Sequence, residues 1–408
     1  MIKIIFSIIV AIVIFDFVLD QFLTFLNRSN WSNKLPEELD GIYDPENYKK
    51  QQNYKKENEK LSMITESFSF IIIMLMLFLN GFAFVDNLVR NWTDSPILIS
   101  LLFFGILFFC SDILSTPFAI YDTFVVEEKY GFNKTTPLIF IMDKLKGYLL
   151  TVLIGGGLIS LFIWFYQVAG VYFWLYTWGL VSAFSIFMSM FYSNLIVPIF
   201  NKQTPLEDGE LRNAIQEFSI KAGFKLKNIF VIDGSKRSNK ANAYFTGLGA
   251  KKRIVLYDTL IKQLTTNEIV AVLAHEIGHY KKKHTLTGLF LSIIQTGLTL
   301  FILSVFINNP LMCNVLGATK PGIHIGLITF GILYSPISTI LGLAMNILSR
   351  ENEYQADAYV KQFNLNQELI QGLKTLTKNS LSNLTPHPLY VFFNYSHPTL
   401  LQRIRALK

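Results

Sequence analysis

NEIVAVLAHEIGHYKKK, residues 267–283, holds two histidines four positions apart, His275 and His279, with Glu276 beside the first. On an α-helix, residues at i and i+4 share a face, so both imidazoles can point at one metal ion. Glu276 can reach a water bound to that ion without being a ligand, which is the H-E-x-x-H arrangement of zinc peptidases. Zinc takes N, O or S donors in a tetrahedron, and a catalytic site leaves one position for water, whose pKa falls to about 7. The flanks read as a helix. Thr265-Thr266-Asn267-Glu268 supplies an N-terminal cap with an acid in the first turn. Ile269, Val270, Val272, Leu273 and Ile277 form an apolar stripe, and Lys281, Lys282 and Lys283 suit the C-terminal turn.

Around this stretch the chain is too apolar for an ordinary soluble domain: 408 residues, 51% hydrophobic, 36 phenylalanines and only 16% charged. Seven runs, 2–26, 68–85, 96–120, 147–168, 171–197, 286–307 and 322–348, are long enough to span. Roughly 20 helical residues cross the hydrocarbon core. The first run is read as a retained span rather than a signal peptide. Lys3 is its only n-region charge, it lacks a small-x-small cleavage site, and it carries Asp16 and Asp20.

Alternating seven crossings puts 7, 4, 15 and 7 of the 36 lysines and arginines on the side that bears the H-E-x-x-H helix. Lys3, Arg90 and Lys320 fall on the other side. The positive-inside rule makes the basic side cytoplasmic. The net charge of +7 therefore speaks for membrane topology and against a nucleic-acid partner. Cys110 and Cys313 lie in or beside apolar runs, which argues against a disulfide framework. Asp16, Asp20, Asn80, Asp112, Asn194, Gln295 and Asn346 lie inside runs and are expected to face a bundle interior or a watery cavity.

The expected fold is an α-helical integral membrane protein, about seven spans around an intramembrane chamber, with a small cytoplasmic α+β zinc-peptidase portion. Its expected regions are 1–200 with five spans, 201–285 with the H-E-x-x-H helix, 286–348 with two further spans, and 349–408. In the soluble part, 205–222 reads as an amphipathic helix with Leu211, Ala214, Ile215 and Phe218 at helical spacing. Residues 227–234, 242–248 and 253–257 read as strands. The second of these strands could be an edge strand facing the zinc, able to hold an extended substrate by β-augmentation.

A catalytic zinc takes three protein ligands, commonly two His and one Glu. After His279 the chain crosses twice and returns to the same side as Arg350-Glu351-Asn352-Glu353-Tyr354-Gln355-Ala356-Asp357. If this stretch is helical, Glu353 and Asp357 share a face. Glu353 could then bind zinc while Asp357 orients a ligating imidazole. Glu351 competes for the ligand position, about 160° away from Glu353 at roughly 100° per residue. His284, five after His279, falls on another face and reads as interfacial. His324 lies across the membrane from the site, and His387 sits in a Thr-Pro-His-Pro loop.

The chain resembles the type I CAAX prenyl proteases nearly end to end. The resemblance is carried by LPEEL at 35–39, YDTFVVEEKYGFNKTT at 121–136, SKRSNKANAYFTGLGAKKRIVLYDTL at 235–260, HEIGH, SRENEYQADAY at 349–359 and NYSHPTLLQRIRAL at 394–407. It implies seven spans around a water-filled chamber and one Zn²⁺ per chain held by His275, His279 and Glu353. It implies Asp357 behind those ligands and Glu276 as catalytic base. Asn242 and Tyr244 would lie on the strand that pairs with substrate backbone. His397 would polarise the scissile carbonyl, and Arg403 would line the site. The implied activity removes the last three residues after a prenylated cysteine, so the partners are peptide or protein substrate and membrane lipid. A quality-control zinc peptidase for misfolded membrane proteins is the enzymatic alternative. A non-catalytic chamber or transporter-like protein is the alternative of another class. The short connection at 308–321 leans towards a bacterial chain in an inner membrane rather than the endoplasmic reticulum.

Overall fold

The computed structural model describes residues 1–30, 35–224, 229–246 and 253–408. The membrane-spanning half opens with α1 (Ile2–Ser29), α2 (Pro45–Phe78), the short α3 (Gly81–Arg90) and α4 (Pro96–Tyr121). α5 (Pro137–Leu150) runs through a wide π-type turn into α6 (Gly156–Val168), followed by α7 (Phe173–Leu195) and α8 (Val197–Phe200). A small soluble part follows: β1 (Gln203–Pro205), α9 (Glu210–Lys221), β2 (Ile229–Ile232), β3 (Ala243–Thr246), β4 (Arg253–Tyr257), α10 (Asp258–Gln263) and α11 (Thr266–Lys281). The chain then re-enters the spans as α12 (His284–Phe306), turns through α13 (Leu311–Asn314), and returns as α14 (Ile323–Lys361). It ends with α15 (Asn366–Asn379), α16 (Pro388–Asn394) and α17 (Leu400–Leu407).

Among the described residues, seven helices are long and apolar enough to cross a membrane. Several run past the apolar stretches that announce them. α2 is 34 residues long and begins at an Asp44 cap far ahead of position 68. It stops at Phe78 because Asn80 adopts a left-handed backbone, φ 53°, so the expected span 68–85 is broken and α3 is a separate element. The fourth span starts at Pro137 rather than 147, behind a Thr136 cap, and carries Lys144 to Asp112 of α4 at 2.7 Å. α14 is 39 residues, about 58 Å at 1.5 Å per residue, long enough to leave the membrane and continue into the soluble part.

The spans do not pack into a solid bundle. Only 6 to 17% of the most apolar stretch of each span is buried, so most of its side chains keep some accessible surface. Between α1 and α14, Asp16, Asp20, Ser335, Thr339 and Asn346 line a polar cavity of about 330 Å³. Ser335 Oγ donates to Asp16 Oδ2 at 2.6 Å. Intramembrane carboxylates lining a cavity are the arrangement that charged groups in spans require.

The soluble core is denser. Strands run in the order β1-β2-β4-β3, with β1/β2 and β3/β4 antiparallel and β2/β4 parallel. β3 is therefore an edge strand, with Ala243 opposite Leu256 and Tyr244 opposite Val255. The expected strand residues at 227–228 and 247–248 lie outside the described residues. α11 lies at the centre of the core: Ile269, Ala271, Leu273, Ala274 and Ile277 are each 1% exposed or less. Burying a Leu or Ile side chain contributes about 1.5–3 kcal/mol, so this face anchors the helix firmly. Its start is set by a capping box in which Thr265 and Glu268 satisfy each other's backbone amides.

Candidate metal centre

α11 and α14 cross where each supplies its polar face. The crossing is close because position 278, inside the H-E-x-x-H motif, is glycine. A Cβ there would lie 3.1 Å from the Cα of Ala356 and 3.1 Å from the Cβ of Tyr359. That approach brings Glu353 of α14 to the two imidazoles of α11. His275 Nε2 and His279 Nε2 are 3.1 Å apart. Glu353 Oε2 is 3.3 Å from His275 Nε2, and Glu353 Oε1 is 3.1 Å from His279 Nε2. A tetrahedron with bonds of about 2.0–2.1 Å has edges of about 3.3–3.4 Å, and one ligand atom from each of the three residues lies within 4.8 Å of the others, close enough to hold one small ion. Glu353 Oε2 is buried without a hydrogen bond among the described residues. Glu351, the rival position, is exposed and accepts from Gln355 Nε2 at 3.4 Å.

The surrounding groups hold these donors in place. Asp357, one turn beyond Glu353, is buried with Oδ1 2.9 Å from His275 Nδ1. Arg403, from α17, grips that carboxylate with two bonds, Nε to Oδ2 at 2.9 Å and Nη2 to Oδ1 at 2.6 Å. Its side chain is only 11% exposed. Arg403 spends two of its bonds on Asp357 and also lines the cleft beside Glu353, Nη1 to Oε2 at 3.5 Å, where the resemblance put it. Burial pushes the His275 imidazole towards neutrality, but the adjacent Asp357 and Glu353 carboxylates outweigh it and hold its pKa above the usual histidine value. The pocket therefore favours positive charge.

Asn242, Ala243, Glu276, His279, Glu353 and His397 line one cleft of about 370 Å³. Glu276 and the end of β3 therefore share the space in front of the donor set. Tyr244 does not enter it. Its ring packs against Tyr257, with centroids 6.4 Å apart, in a cluster with Val197 and Val255 on the other face of the sheet. Period-two alternation along a strand sends neighbours Ala243 and Tyr244 to opposite faces, so any part of Tyr244 in holding substrate would be played by its backbone on the edge strand β3. His397 stands at the cleft mouth, side chain 64% exposed, with Nε2 3.4 Å from Glu353 Oε1. α14 holds its loop: Asn346 Nδ2 donates to the Phe393 carbonyl at 2.9 Å, and Arg350 Nη1 to that of Tyr395 at 2.5 Å.

His284 is not the interfacial residue its spacing suggests. It is 8% exposed, with Nδ1 3.0 Å from His279 Nδ1 and Nε2 3.2 Å from Gln355 Oε1. The cause is Lys283, whose left-handed backbone, φ 60°, ends α11 and starts α12. Face arithmetic assumes one continuous helix and fails across that break. No Gly or Asn marks the position, so the sequence carried no ordinary signal for it. His324 lies away from the cleft, buried with Nε2 2.7 Å from Asp86 Oδ1.

Residues 24–202 match the family model described as the CAAX prenyl protease N-terminal region with five membrane helices. Residues 205–408 match the model of peptidase family M48. The chain is 36% identical to CAAX prenyl protease 1 of Saccharomyces cerevisiae, covering 96% of this chain and 92% of that protein. It is 29% identical to the human CAAX prenyl protease 1 homolog, covering 98% and 94%. The crystal structure of S. mikatae Ste24p superposes with a TM-score of 0.94 at 34% identity, covering 99% of each chain. These relatives are eukaryotic, which leaves the expected bacterial inner membrane without support. The short 308–321 connection has a structural account instead: Met312, Cys313, Val315 and Leu316 are buried in a tight cap around α13. The chain belongs to peptidase family M48 in its CAAX prenyl protease branch, and is a multi-pass membrane metalloprotease.

Proposed function

We propose that His275, His279 and Glu353 hold one zinc ion and that the enzyme cleaves peptide bonds near the C-terminus of prenylated CAAX substrates, releasing the last three residues. The observation that carries the metal assignment is the convergence of His275, His279 and Glu353, each offering one ligand atom within 4.8 Å of the others, on two helices that the Gly278 crossing brings together. Two His and one Glu are a donor set that suits zinc. When bound, zinc supplies a Lewis acid and lowers the pKa of water.

The chain's own groups do the rest. Asp357 accepts the Nδ1 proton of His275, which leaves Nε2 unprotonated and aimed at the shared point. Glu276 takes a proton from the attacking water on its carboxylate and returns it to the leaving amine. The free edge of β3, entered at Asn242, pairs with the substrate backbone and lays the scissile bond across the cleft. His397 donates from Nε2 to the carbonyl oxygen as negative charge develops there. The CAAX assignment draws on what the relatives are named for; membrane lipid surrounds the substrate's anchor, and no nucleic acid is involved. The 33 of 36 basic residues on the site's side support a cytoplasmic active site.

The test is cleavage of a farnesylated CAAX peptide and its unprenylated counterpart by purified protein, with and without a zinc chelator. Chelator-sensitive cleavage of the farnesylated peptide, restored by added zinc, is expected. Equal or better cleavage of the unprenylated peptide would point to the quality-control reading instead.

A further inference from the structure

His284 meets His279 through two ring nitrogens, and only one proton can lie between them. The argument rests on the metal-site reading above. A His279 that ligates through Nε2 keeps its lone pair there, so its ring proton sits on Nδ1. The atom 3.0 Å from that Nδ1 is His284 Nδ1, which must then be the acceptor. The proton of a neutral His284 therefore sits on Nε2. That atom is 3.2 Å from Gln355 Oε1, an acceptor. The orientation of the Gln355 amide is set in turn: its Nε2 faces Glu351 Oε1 at 3.4 Å, and an ionised carboxylate only accepts. Every proton in the series Glu351, Gln355, His284, His279 has one consistent position.

This series mirrors the one on the other ligand. Asp357 fixes the tautomer of His275 from α14, and Arg403 fixes Asp357. His284 and Gln355 stand in the same relation to His279, with a neutral acceptor in place of a carboxylate. The break at Lys283 makes this possible, because on a continuous helix a residue five places on would sit about 140° round the axis. His284 is buried at the start of α12, where a buried imidazole needs partners, and only His279 and Gln355 supply them among the described residues. We infer that His284 is a positioning residue that holds His279 in its metal-binding tautomer and orientation, relayed through Gln355 to Glu351.

The experiment uses full-length protein in detergent. Zinc affinity is measured by chelator competition, and the ligand-field spectrum of the Co²⁺-loaded protein is recorded. His284→Ala and His284→Leu should each bind zinc about 10–100-fold more weakly than wild type, the loss typical of removing a ligand's supporting partner. Both should shift the Co²⁺ bands. His284→Asn, whose Oδ1 can accept from His279 in place of Nδ1, should recover most of the affinity and the wild-type spectrum. His279→Ala serves as the reference and should lose the metal. If His279→Ala retains stoichiometric zinc, the metal-site reading itself fails. If it loses zinc while His284→Ala and His284→Leu bind like wild type, the site stands and the positioning role is overturned. Equal weakening in Leu and Asn variants would also overturn it, because an acceptor would then not be what matters.

Discussion

Glu353 and Glu351 are two residues apart, and the helix separates them by more than their chemistry does. Glu353 is buried between both imidazoles, while Glu351 is exposed and accepts from Gln355. Glu353→Ala should lose metal and activity together, and Glu351→Ala should retain its metal. Elemental analysis showing the reverse would reassign the ligand. His397→Ala should keep its zinc yet lose about 10²–10³ in turnover, the typical effect of removing an oxyanion donor. A near-normal kcat in that variant would make His397 a loop residue only. The convergence of His275, His279 and Glu353 was legible from i,i+4 spacing and the return of the chain after two crossings. The contacts of His284 and the commitment of Arg403 to Asp357 were not. One depends on a single left-handed residue, and the other on how α17 docks, which no local pattern encodes.

Between elements, the crossing of α11 and α14 controls the site. Gly278 permits it, since a methyl group there would sit 3.1 Å from the Ala356 Cα and 3.2 Å from the Ala356 carbonyl oxygen, both backbone atoms. Backbone cannot swing aside as a flexible side chain can. Gly278→Ala should therefore cost about 1–3 kcal/mol, the usual penalty of overpacking, and should weaken zinc binding by spreading the donors. Thermal unfolding and zinc affinity would both be measured; wild-type values in both would show that the crossing tolerates a side chain. Elements with strong local signals matched expectation: the capped α11, the amphipathic α9 and the edge strand β3. Element ends did not. α2 and α14 continue through polar sequence because helices persist beyond the hydrocarbon, and hydropathy reads only the apolar part.

Across the whole protein, seven spans stand around accessible space, and the soluble core is fastened to them by α11 and α14. The number of spans and their apolar cores were readable from the apolar runs along the chain. The break at Asn80 was not, because Asn tolerates both helical and left-handed backbone. The proposed sidedness rests on the charge asymmetry. With Cys110 and Cys313 replaced, a single cysteine at Lys202→Cys should label from the cytoplasmic side and one at Lys320→Cys only from the opposite side. Labelling of Lys320→Cys from the cytoplasmic side alone would invert the topology.

Glu276 decides whether the cleft works as argued. Glu276→Gln is nearly isosteric, keeps α11 and leaves the three proposed ligands untouched, but an amide has no useful basicity. The decisive measurement is the zinc content of purified Glu276→Gln together with its single-turnover cleavage of the farnesylated peptide. Wild-type zinc content, retained peptide binding and no detectable cleavage are predicted. Substantial cleavage by the zinc-loaded variant would contradict the account, because the proton would then be taken by another group.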